Sequence, residues 1–228
     1  MEKRYKLWDL PTRLFHWLLV LCVVAAVVTG QIGGNLIDWH ARIGIVIVGL
    51  IGFRLVWGLC GSTYARFAQF MPSPARIKAY LSGAWQGAGH NPLGALSVLG
   101  LLGLLTAQLL TGLFANDDIA FTGPLYALID KDLSDRLAGL HRLGANLLFV
   151  LVGLHVAAIA FYGHVKKHNL VKPMVTGWAE GEAESARGGG LAAFLLAVAV
   201  AVLLVWGASG DWLPAPPPAP PASAAPAW

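Results

Sequence analysis

The chain has 228 residues, of which 57% are hydrophobic and only 12% are charged. An ordinary soluble domain has about a quarter of its residues charged, so this composition excludes that class and indicates an integral membrane protein. The net charge of +4 comes from Lys and Arg near the ends of apolar runs, a pattern that sets membrane orientation and gives no sign of nucleic-acid binding.

Five apolar runs follow one another along the chain, each bounded by polar, Gly-rich or Pro-rich segments. The sequence predicts helices over residues 14–32, 40–59, 93–114, 140–162 and 191–206, with small residues extending the last one to 209. We expect an all-α integral membrane protein, with a four-helix bundle that binds two cofactors and a fifth C-terminal transmembrane helix. The predicted domains are a membrane domain over 1–178, a polar linker over 179–190, the fifth helix over 191–209 and a Pro/Ala-rich tail over 210–228.

Basic residues lie on one side of this predicted topology. The N-terminal segment, the linker 61–92 and the segment 164–190 carry 4, 3 and 4 Lys or Arg residues, whereas the other side carries 2, both in the acidic connection 115–139. By the positive-inside rule the N-terminus is cytoplasmic. The protein is therefore predicted to be a multi-pass protein of the bacterial inner membrane, in contact with lipid, with the tail outside.

Four histidines fall at matched depths in these helices. His141 and His155 are 14 residues apart on the fourth helix, so they leave nearly the same face, separated by roughly 21 Å along the axis. His40 opens the second helix at the outer side, level with His141, and His16 lies near the cytoplasmic start of the first helix, level with His155. Ionisable groups at these depths are costly and typically functional.

Pairs of imidazoles at two levels suggest a particular cofactor. One imidazole on each face of a flat macrocycle suits b-type haem, whereas a lone zinc or copper ion needs more ligands than two histidines supply. The pattern therefore predicts two haem b groups, with His40 and His141 as iron ligands of one and His16 and His155 of the other. We expect no side chain to act as a covalent catalyst.

Arginines lie close to each predicted ligand pair. Arg42 and Arg142 follow the outer histidines, while Arg13 and Arg54 lie on the cytoplasmic side, so all four are candidate partners for haem propionates; anchoring at the membrane surface is the alternative. His90 opens the third helix without a partner at its level, and is predicted to be an interfacial residue, with a haem contact or a quinone proton-transfer role as the alternative.

Glycines also accompany the histidines, and two interpretations are open for each. They could let a broad ring lie against the backbone, or they could serve ordinary close packing of helices. These glycines are Gly44, Gly49, Gly52, Gly144 and Gly153.

Residues 5–178 resemble the bacterial cytochrome b561 / nickel–iron hydrogenase b-type cytochrome family. The resemblance is carried by Leu-Phe-His16-Trp, His40-x-Arg-x-Gly with Arg54 fourteen residues on, Gly-His90-Asn-Pro-Leu, His141-Arg-Leu-Gly and Gly-Leu-His155. It implies a four-helix core with two haem b groups on the four histidines. It also implies electron exchange between the quinone pool and a redox partner on the periplasmic side, such as a hydrogenase or a c-type cytochrome.

Three other functions are compatible with the same residues. One is a stand-alone superoxide- or quinone-oxidoreductase of the same fold. The second is a transporter that uses the histidines as a proton relay, and the third is a structural membrane anchor for a partner complex.

Overall fold

The computed structural model describes residues 3–214, and within that part of the chain five helices are long and apolar enough to cross a membrane. The predicted all-α membrane fold is therefore confirmed, including its fifth helix. These helices are α1 (Leu10–Ile32), α2 (Ile37–Cys60), α5 (Pro92–Gly112), α6 (Lys131–His164) and α8 (Gly190–Ser209). Of the predicted tail, residues 215–228 lie outside the described residues.

Short elements join the membrane helices at the end of the bundle that carries the N-terminus. They are the helices α3 (Phe67–Phe70), α4 (Pro74–Leu81) and α7 (Val171–Thr176), and the strands β1 (Arg4–Lys6) and β2 (Trp178–Glu180). The two strands pair antiparallel, with Arg4 opposite Glu180. The first two residues of the predicted linker 179–190 are thus part of a small sheet that ties the N-terminal segment to the chain after α7.

Three membrane helices begin at side-chain caps. The carboxylates of Asp9 and Asp130 and the side-chain oxygen of Asn91 each accept a hydrogen bond from the backbone N–H three residues later, at 2.6 to 2.8 Å. Such caps satisfy amides that have no partner inside the helix. The cap at Asp130 explains why α6 begins at Lys131, nine residues before the start predicted from the apolar run.

The first four membrane helices share one apolar core, in which α1 packs on α2, α2 on α5 and α5 on α6. One buried cluster contains side chains from all four helices: Phe15, Ile47, Ile51, Leu102, Leu105 and Leu148. The fifth helix α8 packs on α2 instead, where Ala197 and Phe194 contact Trp57. The protein is a four-helix bundle with α8 added at the side.

Two of the glycines on α2 serve this added helix. A Cβ atom on Gly49 would lie 2.7 Å from a methyl carbon of Val205, and one on Gly52 would overlap Leu204, both on α8. The helix-packing interpretation is therefore correct for these two positions, and a cofactor ring does not explain them. Gly44 and Gly153 face open space instead, and Gly144 lies against the side chain of Gln108.

Candidate functional site

The structure brings two of the predicted ligands together at the end of the bundle away from the N-terminus. His40 and His141, called the outer pair after their predicted side, have ring centres 5.9 Å apart and ring planes nearly perpendicular. Bonds from imidazole nitrogen to a metal are about 2 Å long, so two imidazoles on opposite sides of one metal have centres roughly 6 Å apart. The outer pair fits that separation.

Hydrogen bonds fix the orientation of both rings in the outer pair. The Nδ1 atom of His40 lies 2.8 Å from the carbonyl oxygen of Ala26, and Nδ1 of His141 lies 3.0 Å from that of Gln108. A carbonyl oxygen only accepts, so each Nδ1 carries the proton and each Nε2 keeps its lone pair. Histidines that ligate metals typically have such a partner on the second nitrogen.

Two glycines that the sequence pattern does not single out make room for these rings. A Cβ atom on Gly30 would lie 2.8 Å from Nδ1 of His40, and one on Gly112 would lie 2.8 Å from Cε1 of His141. Both glycines are therefore required for the close approach of helix backbone and imidazole. Their position opposite a histidine depends on helix packing, so spacing along the sequence gave no signal for them.

A cavity of about 160 Å³ adjoins the outer pair. His40 and His141 line it together with Gly44, Arg142 and the carboxylate-bearing Asp117. Arg142 thus lines a cavity beside the outer pair, and its contact with a cofactor stays a prediction. The other outer arginine, Arg42, places its guanidinium 5.3 Å from the ring centre of Trp39.

The inner pair, His16 and His155, lies toward the end that carries the N-terminus. Nδ1 of His155 lies 3.5 Å from the hydroxyl of Ser97, at the limit of a hydrogen bond, and Nδ1 of His16 is buried with no partner among the described residues. The inner rings therefore lack the carbonyl acceptors that hold the outer pair.

Arg54 is the most deeply buried charge near the inner pair, with only 3% of its surface exposed. Its guanidinium lies over the Phe67 ring, 4.7 Å from the centre, and its Nη1 atom has no hydrogen-bond partner among residues 3–214. Asp9 is nearby but already accepts from the Trp57 indole at 3.0 Å and caps α1. A buried guanidinium with a free donor is suited to hold a carboxylate such as a haem propionate.

The other predicted inner arginine, Arg13, is partly used by the protein itself. Its Nη1 donates to the carbonyl of Val175 at 2.8 Å, while its Nε is buried without a partner in the described part of the chain. One guanidinium face is thus committed to α7, which leaves Nε as the donor that could reach a ligand.

His90 lies just before α5, at the same end of the bundle as the inner pair. Its ring is held between Trp8 and Phe70, with centres 4.7 and 4.6 Å away, and its Nδ1 is buried. Burial first, and then the nearby charge of Arg54, lower the pKa of His90 to about 3. The imidazole is therefore neutral at neutral pH.

A family model described as prokaryotic cytochrome b561 matches residues 7–177, most of the chain. The chain belongs to the prokaryotic cytochrome b561 family. This membership confirms the resemblance seen in the sequence. It also confirms a multi-pass bacterial membrane cytochrome that binds haem b and transfers electrons, and so favours this function over the proton relay and the structural anchor.

Curated relatives of this cytochrome carry related descriptions. A probable Ni/Fe-hydrogenase B-type cytochrome subunit of Azotobacter chroococcum mcd 1 is 26% identical over 215 residues, covering 75% of this chain and 86% of that protein. A probable Ni/Fe-hydrogenase 1 B-type cytochrome subunit of Escherichia coli (strain K12) is 22% identical, covering 75% and 88%. No solved structure gives a significant match.

The residues around the outer pair fit a haem, by the ring separation and by the free Nε2 atoms. When bound, haem b supplies reversible one-electron chemistry at its iron, and the protein supplies ligands, burial and nearby charge. The number of haems, their ligands and the arginine contacts stay predictions.

Proposed function

We propose that this cytochrome holds two haem b groups at two levels of the membrane. The outer group is ligated by His40 and His141, and the inner group by His16 and His155. The single observation that carries this proposal is the outer pair: two rings from different helices, 5.9 Å apart, each with its Nδ1 proton donated to a backbone carbonyl. The inner pair follows from the 14-residue spacing of His141 and His155, roughly 21 Å along α6.

Electrons pass between the membrane quinone pool and a redox protein on the periplasmic side. Two features support this proposal. The Lys and Arg distribution favours a cytoplasmic N-terminus, which puts the outer pair near the periplasm. Several relatives are described as cytochrome subunits of Ni/Fe hydrogenases, so a hydrogenase is the first partner to test, and a periplasmic c-type cytochrome the second.

Arginines complete the two sites in this proposal. Arg142, which lines the outer cavity, and Arg54, with its unpartnered Nη1, are the best placed to pair with haem propionates. Arg42 and Arg13 are secondary partners, because each already contacts Trp39 or the Val175 carbonyl. The quinone site lies at one of the two bundle ends, near His90 and Arg54 or near Arg42 and Asp38.

The proposal is tested on the purified full chain in detergent. Pyridine haemochrome analysis should give two haem b per polypeptide, and a membrane-soluble quinol should reduce both. One haem per chain, or no reduction by quinol, would contradict it. Superoxide oxidation by the isolated chain without any partner protein would instead support the stand-alone oxidoreductase.

A further inference from the structure

We propose that this chain gives the inner site a higher reduction potential than the outer site, and that buried Arg54 is a main cause. The inference rests on the two sites of the proposed function.

The hydrogen bonds of the outer pair favour the oxidised state of a bound metal. Both of its imidazoles donate Nδ1–H to a backbone carbonyl, at 2.8 Å for His40 and 3.0 Å for His141. An acceptor on the second nitrogen raises the basicity of the coordinating nitrogen. A more basic ligand donates more charge to iron and favours the ferric state, so the potential of the outer site is lowered.

The inner site lacks this contribution. Nδ1 of His16 is buried with no acceptor among the described residues, and Nδ1 of His155 has only the Ser97 hydroxyl at 3.5 Å. A hydroxyl at that distance is a much poorer acceptor than a carbonyl at 2.8 Å. The inner imidazoles are therefore the weaker donors to a metal, and the inner potential is lowered less.

The buried charge of Arg54 also makes the reduction potential of the inner site higher than that of the outer site. Arg54 follows His40 on α2 by 14 residues, the separation between His141 and His155 on α6, so it lies at the inner level. Only 3% of its surface is exposed, and a positive charge in a low-dielectric interior stabilises an added electron. The buried carboxylate of Asp9 offsets part of this charge, but it already accepts hydrogen bonds from the Trp57 indole and from the first turn of α1. The effect keeps its sign if Arg54 pairs with a propionate, because removing it would leave that negative charge uncompensated.

The outer site has no comparable buried cation among the described residues. Arg42 and Arg142 are exposed at the outer end of the bundle, so their charges act through a higher effective dielectric constant than the charge of Arg54. The carboxylate of Asp117 lines the outer cavity, and backbone N–H donors lower the pKa of Asp117, so it is ionised at neutral pH. An electron therefore has lower free energy at the inner site, and the chain favours electron movement from the periplasmic face inward.

The test is a spectroelectrochemical titration of the full chain with both haems bound. We expect two separate midpoint potentials. Arg54→Gln should shift the higher one downward and leave the lower one in place, and Arg54→Lys should retain most of the original value. Arg76→Gln is the matched control, because it removes an exposed arginine at the same end of the bundle. Equal potentials, or a shift confined to the lower one, would overturn the inference.

A second measurement remains decisive if Arg54→Gln fails to assemble. His155→Ala should leave one haem with the lower potential, and His40→Ala should leave one haem with the higher potential. The reverse assignment would overturn the inference while leaving the proposed function intact. A wild-type chain that holds a single haem would instead contradict the proposed function itself.

Discussion

The imidazole rings of His40 and His141 have their centres 5.9 Å apart although the two residues lie 101 positions apart in the chain, on α2 and α6. Each ring donates its Nδ1 proton to a carbonyl of a neighbouring helix, Ala26 of α1 or Gln108 of α5. All four helices of the bundle therefore take part in fixing the orientation of these two imidazoles.

This arrangement predicts that the two outer histidines act as one unit. His40→Ala and His141→Ala should each lower haem content from two to one per chain, because one imidazole cannot hold a six-coordinate haem alone. The double variant should still bind one haem, whereas His40→Ala combined with His155→Ala should bind none. Pyridine haemochrome analysis of the purified proteins measures the ratio.

His168→Ala is the control for this series, since His168 is exposed beyond the end of α6. It should keep two haems. If each single variant binds one haem but the outer double variant binds none, His40 and His141 serve different haems.

The second prediction concerns the close approach of Gly112 to His141. Gly112→Val should move the imidazole, because even a Cβ atom there would lie 2.8 Å from Cε1 of His141. We expect loss of the outer haem or, where it is retained, a changed low-spin electron paramagnetic resonance signal. A Cβ atom on Gly103 of the same helix would meet nothing within 4 Å, so Gly103→Val should leave haem content and signal unchanged. Normal outer haem in Gly112→Val would argue against this packing.

Much of this fold could be predicted from the sequence because membrane helices are defined by long apolar runs. All five runs became helices, and the start of α5 at Pro92 differs by one residue from the prediction at 93. The start of α6 was missed by nine residues, because its first turns are polar and continue the helix outside the apolar run to the cap at Asp130.

The environment of the histidines was less predictable than their depths. The depth of a histidine in the membrane follows from its position along a single helix. Which glycine faces which ring follows from the packing of two helices, so Gly30 and Gly112 gave no signal, and Gly49 could not be assigned to α8. The burial of Arg54 and the place of His90 depend likewise on the linker 61–92 folding back on α2.

The third prediction separates the packing of α8 from cofactor binding. Gly49→Ala should destabilise the protein, because a Cβ atom at Gly49 would lie 2.7 Å from a methyl group of Val205. Overpacking of this kind costs about 1–3 kcal/mol. We expect a lower melting temperature in detergent with the haem-to-protein ratio unchanged. Gly207→Ala on α8, which meets nothing within 4 Å, should melt like the wild type. Loss of haem from Gly49→Ala would indicate that Gly49 contributes to cofactor binding.

The last prediction concerns the acid sensitivity of the folded protein through His90. Burial and the charge of Arg54 lower its pKa from 6.5 to about 3, so the folded protein keeps it neutral over a range in which the unfolded chain protonates it. Unfolding is therefore favoured as pH falls through that range, whereas above about pH 6.5 the residue has no effect on pH dependence. Between pH 7 and pH 5 the contribution of His90 to the free energy of unfolding should drop by about 2 kcal/mol.

His90→Gln should lose that part of the drop, which chemical unfolding in detergent at both pH values measures. His164→Gln is the control and should retain the drop, because His164 is exposed at the end of α6. Equal drops in wild type and His90→Gln would mean that His90 titrates in the folded protein as it does in the unfolded chain.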